Sequence, residues 1–212
     1  MESVNCGIKG ICFKYPCLIP INERTIRGIL PIDKVVKDEH IIDFFEIEID
    51  FSSNVPKVFE LKNKTNDFPH KYVDGRLCLE TDLTQLIYLK EHTYLEWLDY
   101  YVVNYFCSFL YYKKYKCFPF GERTHFIGDF ISFSDYVQID HLFVYKVLEY
   151  ILNRRYRGHD LCPCGSNKRI RNCHKSLILK FQRDDDLFEE IERIYNITKA
   201  ELIKFEKKRK YI

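Results

Sequence analysis

Three cysteines and one histidine lie within thirteen residues towards the end of the chain, and this spacing restricts the local fold more than any other feature. The run begins with Cys162 and Cys164 and ends with Cys173 and His174, so two pairs of side chains flank an eight-residue loop. Thiolates and imidazoles are the ligands of closed, tetrahedral zinc sites. We therefore predict one structural Zn²⁺ ion held by these four residues.

Residues 162–174 resemble the SEC-C motif, which occurs at the carboxyl end of the translocase ATPase SecA and is appended to many bacterial proteins. The resemblance extends over the whole of this short motif. It implies a small module that stabilises its host or docks a partner. Four protein ligands leave no open position on the metal, so chemistry has to be sought in the rest of the chain.

The charge of the chain gives no support to nucleic-acid binding. Its 33 basic and 31 acidic side chains nearly cancel and leave a net charge of +2. A nucleic acid is attracted by a large positive field, which this balance does not create. We therefore do not expect nucleic acid to be a partner.

Hydropathy and cysteine usage indicate where such a chain works. It contains no stretch of about 18 uncharged apolar residues and no signal-peptide pattern, so we expect a soluble protein without a membrane partner. Its nine cysteines are odd in number, which is typical of thiols and metal ligands rather than disulfides and indicates the cytoplasm. Apolar surroundings are expected for the five scattered cysteines, Cys6, Cys12, Cys17, Cys107 and Cys117.

Hydrophobic periodicity predicts an α+β fold. Apolar residues alternate with acidic ones over 41–51, which predicts a strand with one buried and one solvated face, and 25–32 and 57–61 are its predicted neighbours in an antiparallel meander. Apolar residues at helical spacing predict helices over about 95–116, over about 141–154 and after the aspartates 184–186. We expect an antiparallel sheet with flanking helices, then a small zinc knuckle and a C-terminal helix.

Cys78 is a candidate nucleophile. It lies between two leucines, and an extended backbone would turn both of these to one side. Cys78 would then share the other, polar side with Arg76 and Glu80. A partly exposed thiol near a basic group ionises and attacks more readily than a thiol in a core.

The order of the elements over residues 10–155 resembles the ubiquitin-conjugating enzyme fold. In that family the active cysteine follows a His-Pro-Asn tripeptide and a Gly-x-Ile-Cys-Leu step. Residues 75–79, Gly-Arg-Leu-Cys-Leu, match the step, and Phe68, Pro69 and His70 stand at the tripeptide. The resemblance implies that Cys78 is the active cysteine of a conjugating enzyme.

A bacterial branch of this family is closer still. In that branch a divergent conjugating domain contains a Pro-Phe-Gly-Glu-Arg-x-His stretch and is followed by a SEC-C knuckle, and residues 119–125 and 156–159 are similar to it. Glu122, Arg123 and His125 are therefore candidates for shaping the site or a partner surface.

The resemblance also implies a reaction, partners and a division of the chain. Cys78 would take the carboxyl-terminal glycine of a donor protein as a thioester and pass it to an amine. Members of the branch occur in anti-phage systems such as CBASS, so the implied donor is a cGAS-like nucleotidyltransferase and the implied loading partner is an activating enzyme. The expected parts are a conjugating-enzyme-like domain at 1–157, the zinc knuckle at 158–176 and the C-terminal helix at 177–212.

Two departures from the family bear on the mechanism. His70 replaces the asparagine that supports the oxyanion, and a histidine can donate that hydrogen bond, act as a base or only shape the loop. The amino terminus contains Gly7, Gly10, Pro16 and Pro20 and is expected to lack the long amphipathic helix with which family members engage their activating enzyme.

Two other functions stay open. One is an inactive conjugating-type fold that docks partners through its zinc knuckle, although the presence of Cys78 favours the enzyme. The other is a nucleic-acid-binding zinc protein, for which Lys168, Arg169 and Arg171 are the only argument.

Overall fold

The computed structural model describes residues 2–121 and 128–209. The candidates Glu122, Arg123 and His125 lie outside these residues. The chain divides into two compact units, one of Met1–Thr81 with Gln85–Arg123 and the other of Asp82–Thr84 with Thr124–Ile212. The helices that follow residue 123 therefore share a unit with the predicted knuckle. None of the described helices is long and apolar enough to cross a membrane.

The amino terminus of the first unit forms an 11-residue helix, α1 (Val4–Lys14), where the glycines and prolines led us to expect no long amphipathic helix. Ser3 caps this helix by accepting a hydrogen bond from the N–H of Cys6. Gly7 does not break it, because the missing side chain allows close packing: a Cβ at this position would lie 2.3 Å from Cδ2 of Tyr94. The glycine marks a helix–helix contact, which sequence periodicity does not show.

A four-stranded antiparallel sheet follows α1. Its strands lie in the order β1-β2-β3-β4, namely β1 (Leu18–Asn22), β2 (Thr25–Val36), β3 (Glu39–Asp50) and β4 (Lys57–Glu60). The predicted meander is confirmed as β2, β3 and β4, and β1 is an additional edge strand. In β3, Phe45, Ile47 and Ile49 are buried while the acidic residues between them are partly exposed, as the alternation predicts.

The helix predicted over 95–116 is present and packs on this sheet. It follows α2 (Asp82–Glu91) and has three consecutive parts, α3 (Tyr94–Trp97), a π-helical turn (Leu98–Val102) and α4 (Val103–Tyr115). A capping box begins it, since the Thr93 side chain accepts the N–H of Glu96 and the Glu96 side chain accepts the N–H of Thr93. The Phe106 ring of α4 stacks on Phe45 of the sheet with the ring centroids 4.0 Å apart.

The second unit is helical. It contains α5 (Gly128–Val137), α6 (His141–Leu152), a 3-10 turn (Ile170–Asn172), α7 (Lys175–Arg183) and α8 (Asp185–Arg209). The helices predicted over 141–154 and after residue 184 are confirmed. The segment 177–212 is divided between α7 and α8 because Asp184 leaves the helical conformation, and its carboxylate then caps α8 by accepting the N–H of Leu187 at 3.1 Å.

Candidate metal centre and active site

The four predicted metal ligands converge in the second unit, and their ligand atoms all lie within 4.8 Å of one another. Nδ1 of His174 is 3.3 Å from Sγ of Cys162 and 3.1 Å from Sγ of Cys173, and the Sγ atoms of Cys164 and Cys173 are 3.6 Å apart. Ligands about 2.0–2.3 Å from a tetrahedral metal lie roughly 3.3–3.8 Å from one another. The cluster could therefore hold one metal ion.

Backbone contacts shape the loop between the two ligand pairs. The N–H of Cys162 donates to the carbonyl oxygen of Lys168 at 2.8 Å, and the N–H of Ile170 donates to that of Asp160 at 3.0 Å. Gly165 has a φ of +79°, and a Cβ there would lie 2.5 Å from Cζ of Phe143. The turn that brings Cys164 back towards Cys173 thus requires glycine at position 165.

Burial determines the direction in which the pKa is shifted at two of the four ligands. It raises the pKa of the Cys162 thiol to about 12 and lowers the pKa of the His174 imidazole. Histidine binds metals in its neutral form, which burial favours here. A metal ion bound at the cluster would compensate the charge of the Cys162 thiolate and so offset this effect of burial.

Cys78 lies at the end of a tight hairpin in the first unit, which we call the 70–78 hairpin. Lys71 and Leu77 face each other across it in antiparallel register. The N–H of Cys78 donates to the carbonyl oxygen of His70 at 2.9 Å. Gly75 closes the turn with a φ of +88°, which lies in the left-handed region that favours glycine. The glycine of the Gly-x-x-Cys step thus has a backbone role.

The hairpin is attached to the free edge of the sheet. The N–H of Leu77 donates to the carbonyl oxygen of Val58 in β4 at 2.8 Å, and Phe59 and Arg76 form an antiparallel bridge. Leu77 is 3% exposed and belongs to the core of the first unit. The position of the hairpin is therefore set by both backbone pairing and hydrophobic burial.

The register places His70 and Cys78 opposite each other on the outer face of the hairpin. Residues directly opposite in an antiparallel pair have Cβ atoms about 4.5–5.5 Å apart. Tyr72 and Arg76 form the next pair on the same face, since side chains two positions apart point the same way. The structure thus brings the two predicted catalytic residues together, and their roles stay predictions. Cys78 itself is half-buried.

The sulfur of Cys78 is in contact with a tyrosine that sequence reasoning missed. Oη of Tyr72 lies 3.6 Å from Sγ of Cys78. The guanidinium of Arg76, which the sequence places near the thiol, lies over the ring of Tyr72 with Cζ 4.2 Å from the ring centroid. Tyr72 follows His70 by two positions, and in an extended segment this spacing would have placed it on the face of Cys78.

Aromatic rings hold the imidazole of His70. Its centroid lies 5.2 Å from that of Phe68 and 5.1 Å from that of Phe118, with the Phe118 ring almost perpendicular to it. Phe68 is buried and packs edge-on against Tyr105 and Phe109. Phe68 therefore anchors the segment that contains His70 to the core of the first unit.

A buried ion pair lies beneath the hairpin, on its inner face. The side chain of Glu60 is 0% exposed and that of Lys71 is 10% exposed, with Nζ 3.9 Å from Oε2. The carboxylate also accepts two backbone N–H groups of the turn after β4, and Nζ of Lys71 donates to Oδ1 of Asn66 at 2.9 Å. These bonds hold Lys71, which lies between His70 and Tyr72 in the chain.

A cleft of about 480 Å³ opens next to the hairpin. Its walls include residues 59–61 at the end of β4 and residues 71–75 of the hairpin, so Tyr72 lines the cleft and also contacts Cys78. The lining of the cleft combines aromatic rings with amide and carboxylate side chains.

Three of the scattered cysteines are exposed, so the prediction of apolar surroundings was wrong for Cys6, Cys17 and Cys117. Cys6 lies on the outer side of α1, and the other two lie in turns outside the helices and strands. Cys107 is buried in the core as predicted, and burial raises the pKa of its thiol to about 11. Exposure alone therefore does not distinguish Cys78 from other thiols.

No model of a known protein family, no curated protein and no solved structure matches this chain. Its function therefore has to be inferred from the two sites themselves.

Proposed function

We propose that the chain is a ubiquitin-conjugating-like acyltransferase in which Cys78 carries the carboxyl-terminal glycine of a donor protein as a thioester. The observation that supports this function is the 70–78 hairpin, which sets His70 opposite Cys78 on its outer face. A half-buried sulfur within hydrogen-bonding distance of the Tyr72 hydroxyl suits nucleophilic catalysis. The antiparallel sheet with flanking helices is compatible with a conjugating-enzyme fold in the first unit.

The reaction consists of two acyl transfers. The donor glycine arrives activated, as an acyl adenylate or as a thioester on an activating enzyme. The Cys78 thiolate forms a C–S bond to the glycine carbonyl carbon, and the bond to AMP or to the activating thiolate breaks. An acceptor amine then forms a C–N bond, the C–S bond breaks, Cys78 leaves as a thiolate and the surplus amine proton passes to a base.

His70 is proposed to stabilise the oxyanion of these steps. The oxyanion forms on the oxygen of the carbonyl carbon that is bonded to Sγ of Cys78, on the face of the hairpin that His70 shares. The contacts with Phe68 and Phe118 restrict rotation of the imidazole, which favours a fixed donor direction. Histidine can also act as the base that accepts the amine proton. Whether His70 is the oxyanion donor or the base, its loss should slow transfer.

The metal bound by the four-residue cluster is proposed to be zinc. Cys162, Cys164, Cys173 and His174 offer three sulfurs and one nitrogen, a set that favours zinc over hard cations such as magnesium or calcium. Because all four positions are supplied by the protein, the ion would cross-link the knuckle and would supply no reaction chemistry.

The proposed setting is bacterial anti-phage defence. A cGAS-like nucleotidyltransferase that ends in glycine is the proposed donor, and an activating enzyme is the proposed loading partner. Thiolate chemistry and thiolate metal ligands both require reduced cysteines, which suits the cytoplasm.

The proposed function is tested by following the adduct on Cys78. The full-length chain with donor, activating enzyme and ATP should form an adduct that a reducing agent removes. Cys78→Ser should form a more stable oxyester that resists reduction, and Cys117→Ser, at an exposed cysteine of the same unit, should behave as the unmodified chain does. An adduct that persists in Cys78→Ala would show that another residue carries the acyl group.

A binding role for the knuckle is the second candidate function, and the charge of residues 154–176 favours it. This stretch contains one acidic residue, Asp160, among its basic side chains. Within the described part of the chain, this stretch exposes the cations Arg155, Arg157, Lys168, Arg169, Arg171 and Lys175, none of which forms an ion pair. Such a surface would dock an acidic protein. Binding that survives Cys78→Ala but is lost in Lys168→Glu with Arg171→Glu would favour this role.

A further inference from the structure

We propose that Tyr72 is a further catalytic residue, whose phenolic O–H donates a hydrogen bond to the sulfur of Cys78. The inference rests on the proposed nucleophile. Oη of Tyr72 lies 3.6 Å from Sγ of Cys78, a hydrogen-bonding distance for the large sulfur atom. In the thiol form the S–H donates to Oη, whereas a thiolate has no proton and accepts one hydrogen bond from the phenol.

The position of Tyr72 is set by the hairpin rather than by its side chain alone. Its N–H donates to the carbonyl oxygen of Arg76 at 2.8 Å, and its own carbonyl oxygen accepts the N–H of Gly75 at 3.0 Å. The Arg76 guanidinium covers one face of the ring. Tyr72 is 43% exposed and Cys78 is half-buried, so solvent reaches both residues.

The hydrogen bond serves both acyl transfers. It stabilises the thiolate relative to the thiol and so increases the fraction of Cys78 that can attack. When the thioester breaks, Cys78 leaves as a thiolate and accepts the same O–H. The Arg76 cation on the ring favours a more acidic and thus stronger phenolic donor. The phenol keeps its proton throughout, so the amine proton still passes to a base.

The pH dependence of Cys78 alkylation tests this role without any partner protein. The full-length chain is treated with iodoacetamide over a range of pH, and modification is followed by mass spectrometry on the peptide that contains residue 78. Tyr72→Phe keeps the ring and removes the hydroxyl. We expect it to raise the Cys78 pKa by about one unit, which makes alkylation roughly tenfold slower below that pKa. Tyr100→Phe, at an exposed tyrosine of the same unit, should change nothing.

The variant Arg76→Gln distinguishes the effect of the Tyr72 hydroxyl on Cys78 alkylation from the effect of the Arg76 cation. This variant keeps the Tyr72 O–H, and its alkylation profile should shift in the same direction by less than that of Tyr72→Phe. An unchanged profile in Tyr72→Phe, an equal shift in Tyr100→Phe, or a larger shift in Arg76→Gln would overturn the role of Tyr72. Alkylation needs no acyl donor, so these outcomes do not depend on the adduct experiment. Failure to form a thioester would contradict the proposed function. The alkylation experiment would still test the Tyr72–Cys78 hydrogen bond.

Discussion

The backbone N–H of Cys78 donates a hydrogen bond to the carbonyl oxygen of His70 at 2.9 Å, so the backbone itself joins the two proposed catalytic residues. The hairpin that contains this bond is closed at Gly75 and attached to β4 through Leu77. Backbone bonds of this kind persist when a side chain is replaced. Substitutions at His70 and Cys78 should therefore report on chemistry more than on folding.

Replacing His70 by alanine should slow transfer more than loading. A lost oxyanion donor lowers the rate of the affected step by up to roughly 10²–10³-fold, and the attack of an amine on the thioester needs that donor or a base. The measurement is single-turnover discharge of the preformed Cys78 thioester to free lysine. His40→Ala is the control, because His40 is an exposed histidine of the same unit paired with Asp33.

His70→Asn distinguishes the two chemical roles of this residue. Asparagine can donate a hydrogen bond but cannot take a proton, so it should retain much of the discharge rate if His70 acts as a donor. A rate as low as that of His70→Ala would assign His70 as a base. Discharge at the unmodified rate in both variants would leave His70 with a shaping role only.

Metal analysis of the purified chain should find one zinc ion per molecule. Cys162→Ser with Cys164→Ser should lose it, because two of the four clustered ligands are removed. The matched control is Cys6→Ser with Cys117→Ser, which replaces two exposed cysteines outside the cluster. Zinc retained by the first double variant, or absent from the unmodified chain, would contradict the assignment.

The strand β3 and the metal-ligand cluster could be predicted from the sequence, because the pattern that indicates each of them lies in a short stretch of residues. The alternation in β3 and the spacing of Cys162, Cys164, Cys173 and His174 each lie within a dozen or so consecutive residues, where period and ligand chemistry are visible directly. The polar position of Cys78 next to Arg76 was visible for the same reason.

The features that were missed depend on residues far apart in the chain. Gly7 was counted against a long amphipathic helix, because its contact, Tyr94, follows much later in the chain. The Glu60–Lys71 ion pair and the pairing of the hairpin with Val58 arise from backbone packing that no local pattern encodes. Tyr72 was missed because no local pattern shows that residues 70–72 pair with residues 76–78, and this register places Tyr72 and Cys78 on one face.

Replacing Lys71 by methionine should destabilise the first unit. It would leave the Glu60 carboxylate buried without its cation, and breaking a buried pair in this way typically costs about 3–5 kcal/mol. Urea unfolding measures the change. Lys114→Met is the control, because it breaks an exposed ion pair with Glu39 and should have no measurable effect. Equal stability of the two variants would show that the Glu60–Lys71 pair does not hold the hairpin.

Two glycines of α1 should respond to alanine with opposite signs. At Gly7 a new Cβ would meet Cδ2 of Tyr94 at 2.3 Å, so either α1 or the Tyr94 ring must shift, which typically costs about 1–3 kcal/mol. At Gly10 a Cβ meets nothing within 4 Å, and alanine inside a helix is more stable than glycine by roughly 0.5–1 kcal/mol. Thermal unfolding of Gly7→Ala and Gly10→Ala tests both changes in the same helix. Stabilisation by Gly7→Ala would mean that α1 does not pack against Tyr94 in the way that its glycine allows.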